Sequence, residues 1–162
     1  MNRGLQQAGP LIFLGFVLHA AYATDLKVHG VTPNLAVCCL LVFSLFFGPN
    51  AGAVMGFCTG LMEASFVADY VGSFIVTRTI AGFAVGALEE RIYRDNAFVA
   101  VIATVAGTLL IAGCFFLFAP QPYALQYFTR ALNESLYNGA VALPLYLVVR
   151  RSIRRAAAPA TS

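Results

Sequence analysis

The stretch Gly48-Pro49-Asn50-Ala51-Gly52-Ala53-Val54-Met55-Gly56-Phe57-Cys58-Thr59-Gly60 carries four glycines at intervals of four inside an apolar run. In a helix this spacing sets Gly48, Gly52, Gly56 and Gly60 nearly on one face, a stripe without side chains along which another backbone can come close. A dinucleotide-binding glycine loop follows a strand, whereas this run sits within apolar helix, so the glycines read as a packing device. The stripe is accordingly expected to bind a partner helix. Gly82 and Gly86 repeat the small-xxx-small spacing further along the chain.

Composition sets the class around this stretch. The 162 residues are 60% hydrophobic and 10% charged, with too little polar surface for a soluble globule and enough apolar length for several bilayer crossings. Six apolar stretches predict helices at roughly 9–26, 32–47, 49–66, 71–89, 97–119 and 130–149. Pro33 and Pro49 stand at helix starts, where a fixed φ and a missing amide proton cost nothing. Pro144 falls inside the sixth and is expected to bend it. The Phe47-Gly48-Pro49-Asn50 connection is short enough to make helices two and three a tight antiparallel pair.

The fold class expected is an all-α polytopic membrane protein, one domain of six transmembrane helices over 1–162 with a basic tail from 150. Arg3, Arg91, Arg94, Arg150, Arg151, Arg154 and Arg155 fall on one side of such a bundle, and Lys27 and Arg130 on the other. That imbalance puts both termini in the cytoplasm. The net charge of +3 thus reads as an orientation signal, and no nucleic-acid partner is expected. Arg3 followed by an apolar run ending in Ala21-Tyr22-Ala23 resembles a signal peptide, but its loss would leave the basic ends on opposite sides, so a retained first helix is expected.

Chemistry-bearing motifs are sparse. Cys38, Cys39, Cys58 and Cys114 all lie in predicted helices with no C-x-x-C pair and read as small buried apolar residues. His19 and His29 have no spaced partner for a metal. G-x-S-x-G, P-loop and H-E-x-x-H motifs do not occur, so no catalytic residue, metal or cofactor is expected and the chain is read as a non-enzyme.

Charged residues inside the predicted helices are more informative, because each costs on the order of 3 kcal/mol at the bilayer centre and must face protein or a wet cavity. These are Glu63, Arg78 and Glu134. Glu63 and Arg78 flank the 67–70 turn at similar depth, roughly 10 Å below the outer surface at 1.5 Å per residue, and can pair. Asn34 and Glu134 lie at comparable levels. Two readings of this polar cluster stay open: a structural ion pair that fixes helix register, or an outward-opening cluster that meets a partner or small ligand. Glu89, Glu90, Arg91, Arg94 and Asp95 form a charged inner loop, read as solvated membrane surface or as a cytoplasmic contact.

Gly30-Val31-Thr32-Pro33-Asn34-Leu35, Phe46-Phe47-Gly48-Pro49, Gly52 and Gly56-Phe57-Cys58-Thr59-Gly60-Leu61-Met62-Glu63 together resemble the rod shape-determining protein MreD family. Its members typically carry Pro-Asp-Leu at the start of the second helix and G-F-x-x-G-L-x-x-D closing the third. Asn34 and Glu63 stand where the family usually has Asp; the first departure removes a charge and the second lengthens the arm.

The resemblance implies a membrane scaffold of the bacterial elongation machinery, in the inner (cytoplasmic) membrane, binding MreC. Through MreC it implies indirect links to a RodA-type glycosyltransferase, its transpeptidase partner and MreB, and so support of lateral peptidoglycan synthesis and cell shape. It also implies a fold resembling the substrate-binding S-components of ECF vitamin transporters. Such a transporter subunit is the rival function. It requires an outward pocket, for which Tyr123, Gln126, Tyr127 and Glu134 are the sequence's candidates, and a small-residue face on the first helix, where Ala20, Ala21 and Ala23 lack clean i+4 spacing.

Overall fold

A computed structural model describes residues 32–67, 69–88 and 96–157, with side chains described up to Arg151. Four helical runs make up these residues: α1 (Leu35–Val67), α2 (Val71–Ala87), α3 (Ala97–Phe118) and α4 (Ala124–Ala157). The expected first helix, 9–26, and the charged loop 89–95 lie outside the described residues.

The 33-residue α1 is broken at Gly48, whose φ of 82° and ψ of −179° are not helical. A Cβ is disfavoured at such a φ, and Pro49 then opens the next turn with its φ already set. The chain folds back here. Asn34 and Glu63 are joined by a 2.7 Å hydrogen bond, whereas a straight helix would hold them about 43 Å apart. α1 is therefore an antiparallel pair of arms, 35–47 and 49–67, as the short connection predicts.

The N-terminal arm is apolar all round because it is enclosed all round. Cys38, Leu40, Leu41 and Val42 are fully buried, and Leu41 and Val85 both pack on Gly107 of α3. Phe46 stacks on Tyr146 of α4, with ring centroids 5.2 Å apart. Contacts from Asn34 to Asn138 and from Phe46 to Tyr146 advance in the same direction along both chains, so this arm and α4 run parallel. Successive segments between them alternate in direction. The bundle thus gathers residues 32–34, 69–70 and 119–123 at one end.

α2 lies along the glycine stripe. A Cβ on Gly52 would collide with the carbonyl of Gly82, one on Gly56 with the carbonyl of Arg78, and one on Gly60 with the Ile75 Cα at 2.6 Å. Gly86 meets Gly48 at 2.6 Å in the same way. The two small-xxx-small motifs read from sequence are the two sides of a single contact. Gly48, Gly52, Gly56 and Gly60 are all buried by it. This corrects the reading of the stripe as a groove open to a partner: the chain's own α2 fills it.

Three other expectations change. α4 begins at Ala124 instead of 130 and stays helical to Ala157, so the basic segment expected as a tail from 150 continues the helix. Pro144 lies inside this helical run. Cys58 is exposed and Cys114 partly so, and only Cys38 and Cys39 are buried.

α3 is long and apolar enough to cross a membrane, α1 reaches that length only as the sum of its two apolar arms, and α2 is a shorter apolar helix of 17 residues. Their outward faces carry Val54, Phe57, Phe66, Phe83, Phe98 and Ile102, all well exposed. A large apolar exterior of this kind suits a hydrocarbon solvent.

Candidate functional site: a buried ion pair beside a polar cavity

The glycine contact delivers the charged residues to each other. Gly56, Gly60 and Glu63 fall at i, i+4 and i+7 on one helical face, so the face that admits the α2 backbone also carries the acid. Arg78, whose carbonyl sits against Gly56, donates from Nε to Glu63 Oε2 at 2.5 Å, and its terminal NH2 reaches the same oxygen at 2.5 Å. Both side chains are more than nine-tenths buried. The guanidinium also donates to Thr77 Oγ1 at 3.2 Å and lies 4.5 Å over the Phe74 ring.

Asn34 holds the other carboxylate oxygen. Its Nδ2 donates to Glu63 Oε1 at 2.7 Å, while its Oδ1 accepts from Val37 N at 3.0 Å and so caps α1. The amide can do both because it presents a donor and an acceptor, which a carboxylate at this position does not. Asn34 N in turn donates to Asn138 Oδ1 at 2.8 Å, and Asn138 Nδ2 donates to Thr108 Oγ1 at 3.2 Å. One network therefore ties both arms of α1 to α2, α3 and α4.

Of the four polar residues expected to cluster, Asn34, Glu63 and Arg78 are directly bonded. Glu134 is not. It lines a cavity of about 330 Å³ among the four helical runs, together with Arg78, Thr108, Tyr127, Arg130 and the apolar Phe74, Ile111 and Phe115. A smaller adjoining cavity of about 160 Å³ is lined by Gln121, Tyr123 and Gln126 and shares Tyr127 and Arg130. The sequence candidates for a pocket lining are thus split between two neighbouring spaces. Tyr127 fixes one wall by donating to the Ala112 carbonyl at 2.9 Å.

Asn138 and Thr108 escaped the sequence reading, which searched the helices for charge. Asn138 is fully buried, and a buried asparagine in a membrane helix is itself a signal that a neighbouring helix supplies its partners. Among the described residues no group of three His, Cys, Asp or Glu side chains converges on a metal position. The Glu63–Arg78 pair and the satisfied amides of Asn34 and Asn138 are suited to holding helices in register, with a polar cavity beside them.

The rod shape-determining protein MreD family model matches residues 5–155, a span that includes every described helix up to the end of the basic segment. Neither a curated protein nor a solved structure matches the chain significantly. The matched span contains the glycine contact, the Asn34-Glu63-Arg78 network and the cavity beside it, and with nearly the whole chain covered the protein belongs to the rod shape-determining protein MreD family.

Proposed function

We propose that this membrane protein, through the rod-shape role that its family carries, serves as a non-enzymatic scaffold of the bacterial elongation machinery. It binds MreC and through it supports lateral peptidoglycan synthesis, with the RodA-type glycosyltransferase, its transpeptidase and MreB as indirect partners. The family match over residues 5–155 carries this reading. The proposed setting is the inner membrane, with six crossings and both termini cytoplasmic. In support, the described segments alternate in direction and the arginines at 150 and 151 follow the last apolar segment.

A scaffold needs a fixed shape more than a reactive group. The glycine contact and the buried ion pair give the bundle such a shape, since helices surrounded by lipid associate through close packing and polar contacts. Because α2 fills the glycine stripe, the scaffold reading assigns MreC to another face of the bundle.

Purification of the tagged chain from its own host in mild detergent, with mass spectrometry of the retained membrane proteins, tests the proposal. Recovery of a single-span coiled-coil protein with wall-synthesis enzymes is the expected result. Recovery of a coupling membrane protein with paired ATPases, and no elongation component, overturns it.

A further inference from the structure

The cavity among the four helical runs is lined by two opposite charges without a bonded partner among the described residues, the partly buried Glu134 and the exposed Arg130. Arg78 is engaged by Glu63, with two guanidinium nitrogens on Oε2. Arg130 and Glu134 stand one turn apart on α4 and both line the cavity, yet among the described residues neither makes a hydrogen bond or an ion pair. Residues four apart on a helix are neighbours, so an arginine and a glutamate so placed can pair. Here they face a shared space of about 330 Å³, at the lower end of the range for small-molecule sites.

The charges narrow the ligand. A bare anion drawn to Arg130 also meets Glu134, and a bare cation drawn to Glu134 also meets Arg130. A group carrying both charges satisfies both. A phosphate and an ammonium joined by two carbons span roughly 5 Å, close to the rise of about 6 Å between Arg130 and Glu134 along α4. Phe74, Ile111 and Phe115 supply an apolar wall for whatever the phosphate is esterified to. α4 starts at Ala124, so Arg130 and Glu134 sit about 9 and 15 Å along it, in the half toward the 119–123 connection.

We infer that this cavity binds a phosphoethanolamine group, its phosphate on Arg130 and its ammonium on Glu134. The group has two sources, the headgroup of phosphatidylethanolamine in the surrounding leaflet and water-soluble phosphoethanolamine. The site is independent of the scaffold reading, and neither stands or falls with the other.

Native mass spectrometry of the full chain in detergent, titrated with phosphatidylethanolamine and with phosphatidylglycerol, tests it. The zwitterionic lipid is expected to bind about tenfold more tightly, the difference that one charge-assisted contact makes. Glu134→Gln should abolish that preference, and Arg130→Gln should weaken both lipids. Glu134→Asp and Arg130→Lys keep the charges and should keep the preference, which separates the site from a packing role and serves where a neutral variant does not fold. Equal binding of the two lipids by the native chain, or a preference unchanged in Glu134→Gln, overturns the proposal. Soluble phosphoethanolamine added to delipidated protein assigns the source: a raised melting temperature lost in Glu134→Gln shows that the free compound suffices, and no shift alongside retained phosphatidylethanolamine binding assigns the site to the lipid.

Discussion

Gly52 and Gly82 occupy each other's side-chain positions: a Cβ built on either would lie against the carbonyl oxygen of the other. Neither residue is there for backbone freedom, since both are within regular helix. Their role is to let two backbones touch. The same contact recurs at Gly56 against Arg78, and it is this approach that brings the Arg78 side chain to Glu63.

Alanine at Gly52 or at Gly82 should therefore destabilise the bundle although alanine is the better helix former. Overpacking costs about 1–3 kcal/mol, and a clash with backbone has less room to relax than one with a side chain. Gly72→Ala is the control, because no atom lies within 4 Å of its Cβ position, and it should be neutral or gain up to about 1 kcal/mol from helix propensity. Thermal unfolding of the three variants in detergent reads the contrast; equal effects at 52 and 72 contradict the contact.

Removing one partner of the Glu63–Arg78 pair should be worse than removing both. A lone charge left at a buried site costs about 3–5 kcal/mol, whereas a double replacement by apolar residues leaves none. Glu63→Leu and Arg78→Leu should each lower the unfolding midpoint sharply, and Glu63→Leu/Arg78→Leu should recover part of the loss. A double variant as unstable as the sum of the singles would show the two residues to be independent.

How far these features can be read from sequence depends on whether both halves of a contact carry a periodic mark. The stripe at 48–60 and the pair Gly82 and Gly86 were each visible as spacing. Spacing alone does not say that one faces the other, and so the stripe looked like a site for an outside helix. Glu63 and Arg78 are legible as neighbours because both flank one short turn, which fixes their depths, and the ion pair forms at that level. Glu134 shares that level but points into a cavity, and level alone could not separate it from the bonded three. The early start of α4 was hidden because 124–129 mixes polar and apolar residues and gives no continuous hydrophobic run. Asn138 gave no charge to notice.

Replacing Asn138 with leucine should cost stability despite added apolar volume. Asn34 N loses its acceptor and Thr108 Oγ1 a donor, both in the bundle interior. A hydrogen bond between membrane helices is worth about 1–2 kcal/mol at most, so the expected loss is of that size. Asn133 on the same helix is exposed, and Asn133→Leu should be near neutral. If the two substitutions behave alike in a detergent-unfolding assay, Asn138 is not a linchpin of the network.

Asn34 and Glu63 both differ from the aspartates that the resemblance implies at these positions, and the geometry predicts that the two differences compensate each other. Asn34 Nδ2 lies 2.7 Å from Glu63 Oε1. Asn34→Asp keeps the helix cap but sets a carboxylate against a carboxylate. Glu63→Asp shortens the arm by one methylene, drawing the acid back from residue 34 and loosening its hold on Arg78. Each single change should destabilise, the first through repulsion and the second through lost contact. Made together they restore the family's combination, with the shorter acid relieving the repulsion, and the double variant should be more stable than the sum of the singles by about 1 kcal/mol or more, within the usual range for residues in one network. Unfolding midpoints of the four proteins measure the coupling. Strict additivity would mean that residues 34 and 63 do not interact, against the hydrogen bond on which the network is built.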